Sequence, residues 1–176
     1  MSKTKKLTLS AMVTALCVIC LAGSAMLPRV TLSLAALAGI FPAVTVIACG
    51  YGWAAVSAAA AAILALLLLP DKTAGVWFAF FFGHYPIWKA LIEDLQTRLG
   101  KIAVGMALKL LGFAACMTAL YFVIGTLFAN AIPYDFTENA IGPAVLIGAL
   151  LAAFVIYDIA FTRLINWFRI KVLPKL

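Results

Sequence analysis

Residues 53–69, WAAVSAAAAAILALLLL, run for seventeen positions with no charge and a single hydroxyl, that of Ser57. As an α-helix the segment is about 25 Å long, close to the ~30 Å hydrocarbon core of a bilayer. In lipid, a spanning segment must satisfy its own backbone N–H and C=O groups, which a helix does and an isolated strand does not. The stretch therefore reads as a transmembrane helix, closed by Pro70. Its first half is almost entirely small side chains, which let helix backbones approach closely. Two readings fit that feature: tight packing inside a bundle, or a face for a partner helix.

Working outward, the same pattern recurs. Apolar runs occupy about 7–27, 32–49, 53–69, 74–91, 102–128 and 141–168, so the expected architecture is all-α, a six-transmembrane-helix bundle forming one domain over residues 1–176. Pro28 closes the first run, and Gly50 and Gly52 mark a tight connection after the second. Pro42 and Pro86 lie inside the second and fourth runs, where each is expected to kink its helix or leave it broken. The composition agrees: 66% of the 176 residues are hydrophobic and 11% charged, against about 45–50% and 25% in soluble domains. The N-terminal MSKTKK followed by an apolar run has the outline of a signal peptide, and Gly23, Ser24 and Ala25 resemble a cleavage site. The length of the run and the segments behind it favour a retained first helix.

The formal charge of +7 is a topology signal. With six spans both ends share one side. With the N-terminus inside, eleven of the 13 basic residues are cytoplasmic: Lys3, Lys5, Lys6, Lys89, Arg98, Lys101, Lys109, Arg163, Arg169, Lys171 and Lys175. Only Arg29 and Lys72 fall outside. That bias places both termini in the cytoplasm and makes nucleic acid an unneeded explanation for the charge.

Polar groups inside a membrane require partners. Asp158, in the sixth run, is expected in a structural ion pair with Lys109, with Lys89 and Arg163 as alternatives, and Thr162 stands one turn away. Lys89 and Lys109 sit near inner helix ends, where snorkelling to the headgroups is the default. His84, the one histidine, shares a helix face with Trp77 seven positions earlier, among Phe80, Phe81, Tyr85 and Trp88. Cys17, Cys20, Cys49 and Cys116 lie in apolar runs and read as small buried hydrophobes; no metal site is expected. The outer connections carry Arg29, Asp71-Lys72, and the long ANAIPYDFTENA with Asp135. With Trp77, Phe80, Phe81 and Tyr121 these line a small-molecule cavity, or they are ordinary wet loops beside an aromatic belt.

No Walker lysine motif, HExxH, GxSxG or dinucleotide fingerprint occurs, so no enzymatic role is expected and no cofactor is assigned to this chain. Ala11 and Ala15, flanked by Ser10 and Thr14, form a small-xxx-small pair on the first helix.

KKLTLSAMVTAL at 5–16, LLLLPDKTAG at 66–75 and FFFGHYPIWKALIEDL at 80–95, set in six short spans, resemble the substrate-binding membrane subunit (S component) of energy-coupling factor (ECF) transporters. The resemblance covers about residues 7–170 and points to a subgroup of unassigned substrate in Gram-positive bacteria. It implies an ABC-type importer subunit in the bacterial plasma membrane that captures a vitamin-like micronutrient at the outer face. Its partners would be a transmembrane coupling protein and two cytoplasmic ATPases, which alone use ATP. The family's coupling motif falls on Ala11 and Ala15. Its pocket falls on Arg29, Asp71, Lys72, Trp77, Phe81, His84, Tyr121 and Asp135, with an apolar lining suited to an apolar ligand carrying one charged group. Two other classes are kept: a scaffolding membrane protein of the rod-shape-determining type, and a small ion-coupled carrier or membrane enzyme.

Overall fold

A computed structural model describes residues 2–27, 30–99, 102–127 and 141–171. Among these every regular element is helical. The elements are α1 (Lys3–Met26), α2 (Thr31–Ala38), α3 (Ile40–Cys49), α4 (Tyr51–Leu68), α5 (Thr73–Trp77), a π-helical turn (Phe78–Phe82), α6 (Tyr85–Leu99), α7 (Ile102–Leu127) and α8 (Ile141–Lys171). Three stretches among the described residues are long and apolar enough to cross a membrane: Lys3–Ser24, Thr31–Cys49 and Tyr51–Leu68. The chain forms two compact units, Met1–Cys116 and Met117–Leu176.

In the first unit α1 packs against α4, α2 and α3, and α3 also meets α4 and α6. The buried stripe of α1 is Ser10, Val13, Thr14, Cys17, Leu21 and Ser24, at the three- and four-residue spacing of one helix face. The buried stripe of α4 is Ala54, Ser57, Ala58, Ala61 and Ala65. Every one is small, so the alanine-rich half of α4 serves close packing inside the bundle. Where the stripes meet, the Thr14 and Ser57 hydroxyl oxygens are 2.7 Å apart. Thr14 already donates to the Ser10 carbonyl at 2.8 Å, so Ser57 is the donor between them. The opposite faces carry exposed Met12, Leu16 and Ile19 on α1 and Val56, Ile63 and Leu67 on α4, apolar surface that lipid covers.

Both proline-bearing segments are irregular. The second is interrupted at Gly39, between α2 and α3. Pro42 has no N–H to give the Ala38 carbonyl four residues earlier, and the Cys17 thiol, 3.6 Å from that oxygen, donates instead. Cys20 Sγ lies 3.7 Å from the Leu34 carbonyl one turn away. These thiols are therefore weak donors across a helix contact as well as buried apolar groups. Gly50 ends α3 with φ 97°, a left-handed conformation that favours glycine, and α4 starts at the next residue. The fourth segment departs from α-helix at the π turn, where the Gly83 N–H reaches the Phe78 carbonyl at 2.7 Å. It restarts at Tyr85, one residue before Pro86. A Cβ at Gly83 would sit 2.9 Å from both the Phe78 ring and its carbonyl oxygen, so the turn closes only around glycine.

The second unit contains α8, 31 residues long and ~46 Å in axial length. Phe154, Asp158 and Phe161 are buried at four- and three-residue spacing, and the Tyr157 and Phe161 rings stack at 5.4 Å. Thr162 donates to the Asp158 main-chain carbonyl at 2.7 Å, closing a helical turn.

Candidate functional site

The expected site residues fall at two heights. Asp71 and Lys72 form the turn between α4 and α5, and both side chains bond the backbone at the helix ends. Asp71 Oδ1 accepts the Thr73 N–H at 2.9 Å, an Asx turn that leads the chain into α5. Hydrogen bonds from the Thr73 side chain and backbone hold its carboxyl below the usual aspartate range. Lys72 Nζ donates to the Leu69 carbonyl at 2.6 Å and approaches that of Leu67 at 3.4 Å. It thereby meets the orphan carbonyls at the end of α4.

Trp77, half-buried, ends α5. Phe81 is 4% exposed and sits in an aromatic cluster, stacked on Tyr85 at 5.1 Å and edge-on to Phe82 at 4.9 Å and Phe113 at 5.6 Å. His84 follows the π turn and is exposed, although its neighbours Phe82, Gly83, Tyr85 and Pro86 are all buried. Its Nδ1 is 3.2 Å from the Ala79 carbonyl and its Nε2 3.2 Å from Cys116 Sγ on α7. Thirteen residues separate Asp71 from His84, roughly 20 Å of helical rise, so the turn and the histidine lie at different heights along the first unit.

Below His84, α6 and α7 run antiparallel. The Trp88 indole lies over Gly112, where a Cβ would come within 2.6 Å of Nε1, and Gln96 lies over Gly105. Between these levels Lys89 Nζ and Lys109 Nζ each stand 3.1 Å from the same oxygen, Glu93 Oε1. The Lys89 side chain is 1% exposed and that of Lys109 8%, while Glu93 is 42% exposed. Neither lysine snorkels: both side chains stay buried, paired with one partly exposed carboxylate. Glu93 is absent from the sequence-derived site, though its i, i+4 spacing from Lys89 is the helical ion-pair signal. Asp158 is buried on α8 in the second unit, whereas Lys109 belongs to the first.

Ala11 and Ala15 are exposed on α1, on a flank beside the buried stripe of Ser10, Thr14 and Cys17. Arg29, Asp135 and the side chain of Tyr121 lie outside the described residues. No protein-family model, curated protein or solved structure matches the chain.

Proposed function

We propose that the chain is the substrate-binding membrane subunit of an ECF-type importer. In this reading it is a six-span bundle of the bacterial plasma membrane with both termini cytoplasmic. It takes up a vitamin-like micronutrient at the outer face, performs no chemistry of its own, and relies on a coupling protein and two ATPases for energy. The observation that carries the reading is the placement of Ala11 and Ala15. The buried stripe of α1 uses Ser10, Thr14 and Cys17, with Thr14 meeting Ser57 of α4 and Cys17 the Ala38 carbonyl of α2, so the small pair is not consumed by these contacts. It stays on a face where a second helix can approach closely. The 11-to-2 distribution of basic residues adds support by setting that end of α1 at the cytoplasmic surface, where the ATPases would act.

The test is gentle purification of tagged protein from native membranes, with mass spectrometry of co-purifying subunits and released small molecules. Two related ATPases and one membrane coupling protein are expected with the unaltered chain. Ala11→Trp and Ala15→Trp should lose those subunits while retaining the ligand. Assembly unchanged in both variants would overturn the docking assignment. A cell-shape scaffold partner with no ligand would replace the importer reading altogether.

A further inference from the structure

We propose that His84 and Cys116 form a binding site for one monovalent thiophilic d10 cation, with copper(I) the best-suited member of that class. The inference stands apart from the importer reading and does not depend on it.

The first ground is how the imidazole is held. Nδ1 lies 3.2 Å from the Ala79 carbonyl, and a carbonyl only accepts, so Nδ1 carries the ring proton. The Nε2 lone pair is then directed at Cys116 Sγ, 3.2 Å away. An imidazole whose second nitrogen donates to a backbone carbonyl is the arrangement that orients metal-binding histidines. The second ground is access. His84 is exposed although the residues around it on the same turn are buried, so the pair lies at the surface of the helix bundle and is not enclosed by the aromatic cluster.

Charge and donor type then select the ion. Sulfur with imidazole nitrogen is a soft donor set that favours copper(I). Within an apolar span, net charge is strongly disfavoured. A monovalent cation, one thiolate and one neutral imidazole sum to zero. A divalent ion on the same donors would leave a net positive charge. Among the described residues no group of three or more His, Cys, Asp or Glu could hold a metal, which leaves a four-coordinate ion such as zinc short of protein donors. Two donors suffice for a linear d10 ion. Binding replaces the S–H bond of Cys116 with an S–metal bond and releases the proton to solvent, one positive charge in for one out, with no change of oxidation state.

Linear ligation needs more separation than a hydrogen bond. With metal–nitrogen and metal–sulfur bonds of roughly 2.0 and 2.3 Å, as for zinc, the donors must stand about 4.3 Å apart. The pair must therefore open by about 1 Å from its 3.2 Å. It sits where the span is least regular, between the π turn and Pro86, and irregular helical turns of this kind recur at functional sites.

The experiment is anaerobic titration of the full-length protein in detergent with copper(I), against a chromogenic copper(I) chelator. The chain should withhold one equivalent. His84→Gln and Cys116→Ser should each weaken retention at least about tenfold. A variant with Cys17, Cys20 and Cys49 all changed to alanine should retain the ion. X-ray absorption of the loaded wild type, which needs no variant to fold, should show one sulfur and one nitrogen scatterer. No equivalent withheld by the wild type, undiminished retention in Cys116→Ser, or a two-sulfur environment would each overturn the proposal.

Discussion

At the scale of single residues, the first unit is held by a few polar contacts set in an apolar background, and each has a definable weight. The Thr14–Ser57 hydrogen bond, 2.7 Å and buried, links α1 to α4. Interhelical hydrogen bonds in membranes average about 0.6 kcal/mol and reach ~1.7. Ser57→Ala should therefore lower stability by about that amount, measured by detergent-denaturant titration; a loss above ~3 kcal/mol would mean the hydroxyl does more than bridge. Glu93→Gln should cost more. It removes the carboxylate shared by two buried lysines, and breaking a fully buried pair costs about 3–5 kcal/mol. Because Glu93 is 42% exposed, solvent screening reduces the expectation to on the order of 2 kcal/mol. Asp71 gives a pH signature with a fixed sign. Its folded-state pKa is depressed through Thr73. Its stabilising hydrogen bond is therefore fully present above the ordinary aspartate range and is lost as pH falls below that range. Asp71→Asn should flatten that acid limb of a thermal-stability profile and leave the neutral region nearly unchanged; an unaltered limb would exclude the carboxylate as its source.

At the scale of elements, the alanine-rich helix is the sharpest test of packing. Ala61 is 1% exposed in the α4 stripe facing the bundle, whereas Ala59 points outward. Ala61→Leu should destabilise by about 1–3 kcal/mol through overpacking, and Ala59→Leu should be near neutral; equal effects would contradict the orientation of α4. Which helices exist is readable from residue patterns: 53–69 needs only its unbroken apolar length, and the disturbance at Pro42 and Pro86 follows from a missing N–H. Where the irregular turns fall is less readable. Gly39 takes the first because the freed Ala38 carbonyl finds the Cys17 thiol, a contact between positions 21 residues apart. The site divides in the same way. Asp71 and Lys72 are visible as a polar turn, yet their bonds to the backbone depend on how α4 ends. The Glu93–Lys89 pair is legible from spacing alone. The His84–Cys116 contact is not, because it depends on the antiparallel register of α6 and α7, which glycines at 105 and 112 set by accepting Gln96 and Trp88 against the backbone.

At the scale of the whole molecule, the arrangement in the membrane turns on the interrupted segment α2–α3. Its 19 residues give about 28 Å of rise even when summed end to end, barely the thickness of the hydrocarbon core. At Gly39 the backbone stays αR (φ −60°, ψ −18°) and its N–H still reaches the Ala35 carbonyl at 3.2 Å, so the two pieces continue in one direction, and labelling can test that against a fold-back. If they continue, three crossings separate Lys5 from Thr73, an odd number, and the two residues lie on opposite sides. If they fold back, two crossings separate them and they share a side. The charge distribution favours the first, because the 11-to-2 bias of basic residues arises only if the two pieces continue. Both Lys5 and Thr73 are exposed, so single cysteines placed there in a background without the four native ones can report directly. With a membrane-impermeant maleimide on intact cells, Thr73→Cys should label at once and Lys5→Cys only after permeabilisation. Labelling of both from outside, or of neither, would make α2–α3 a re-entrant hairpin. That outcome would also invert every element after it, putting the Lys89–Glu93–Lys109 cluster on the side opposite the N-terminus. The cytoplasmic docking face proposed for Ala11 and Ala15 would then lie across the membrane from the end of α6.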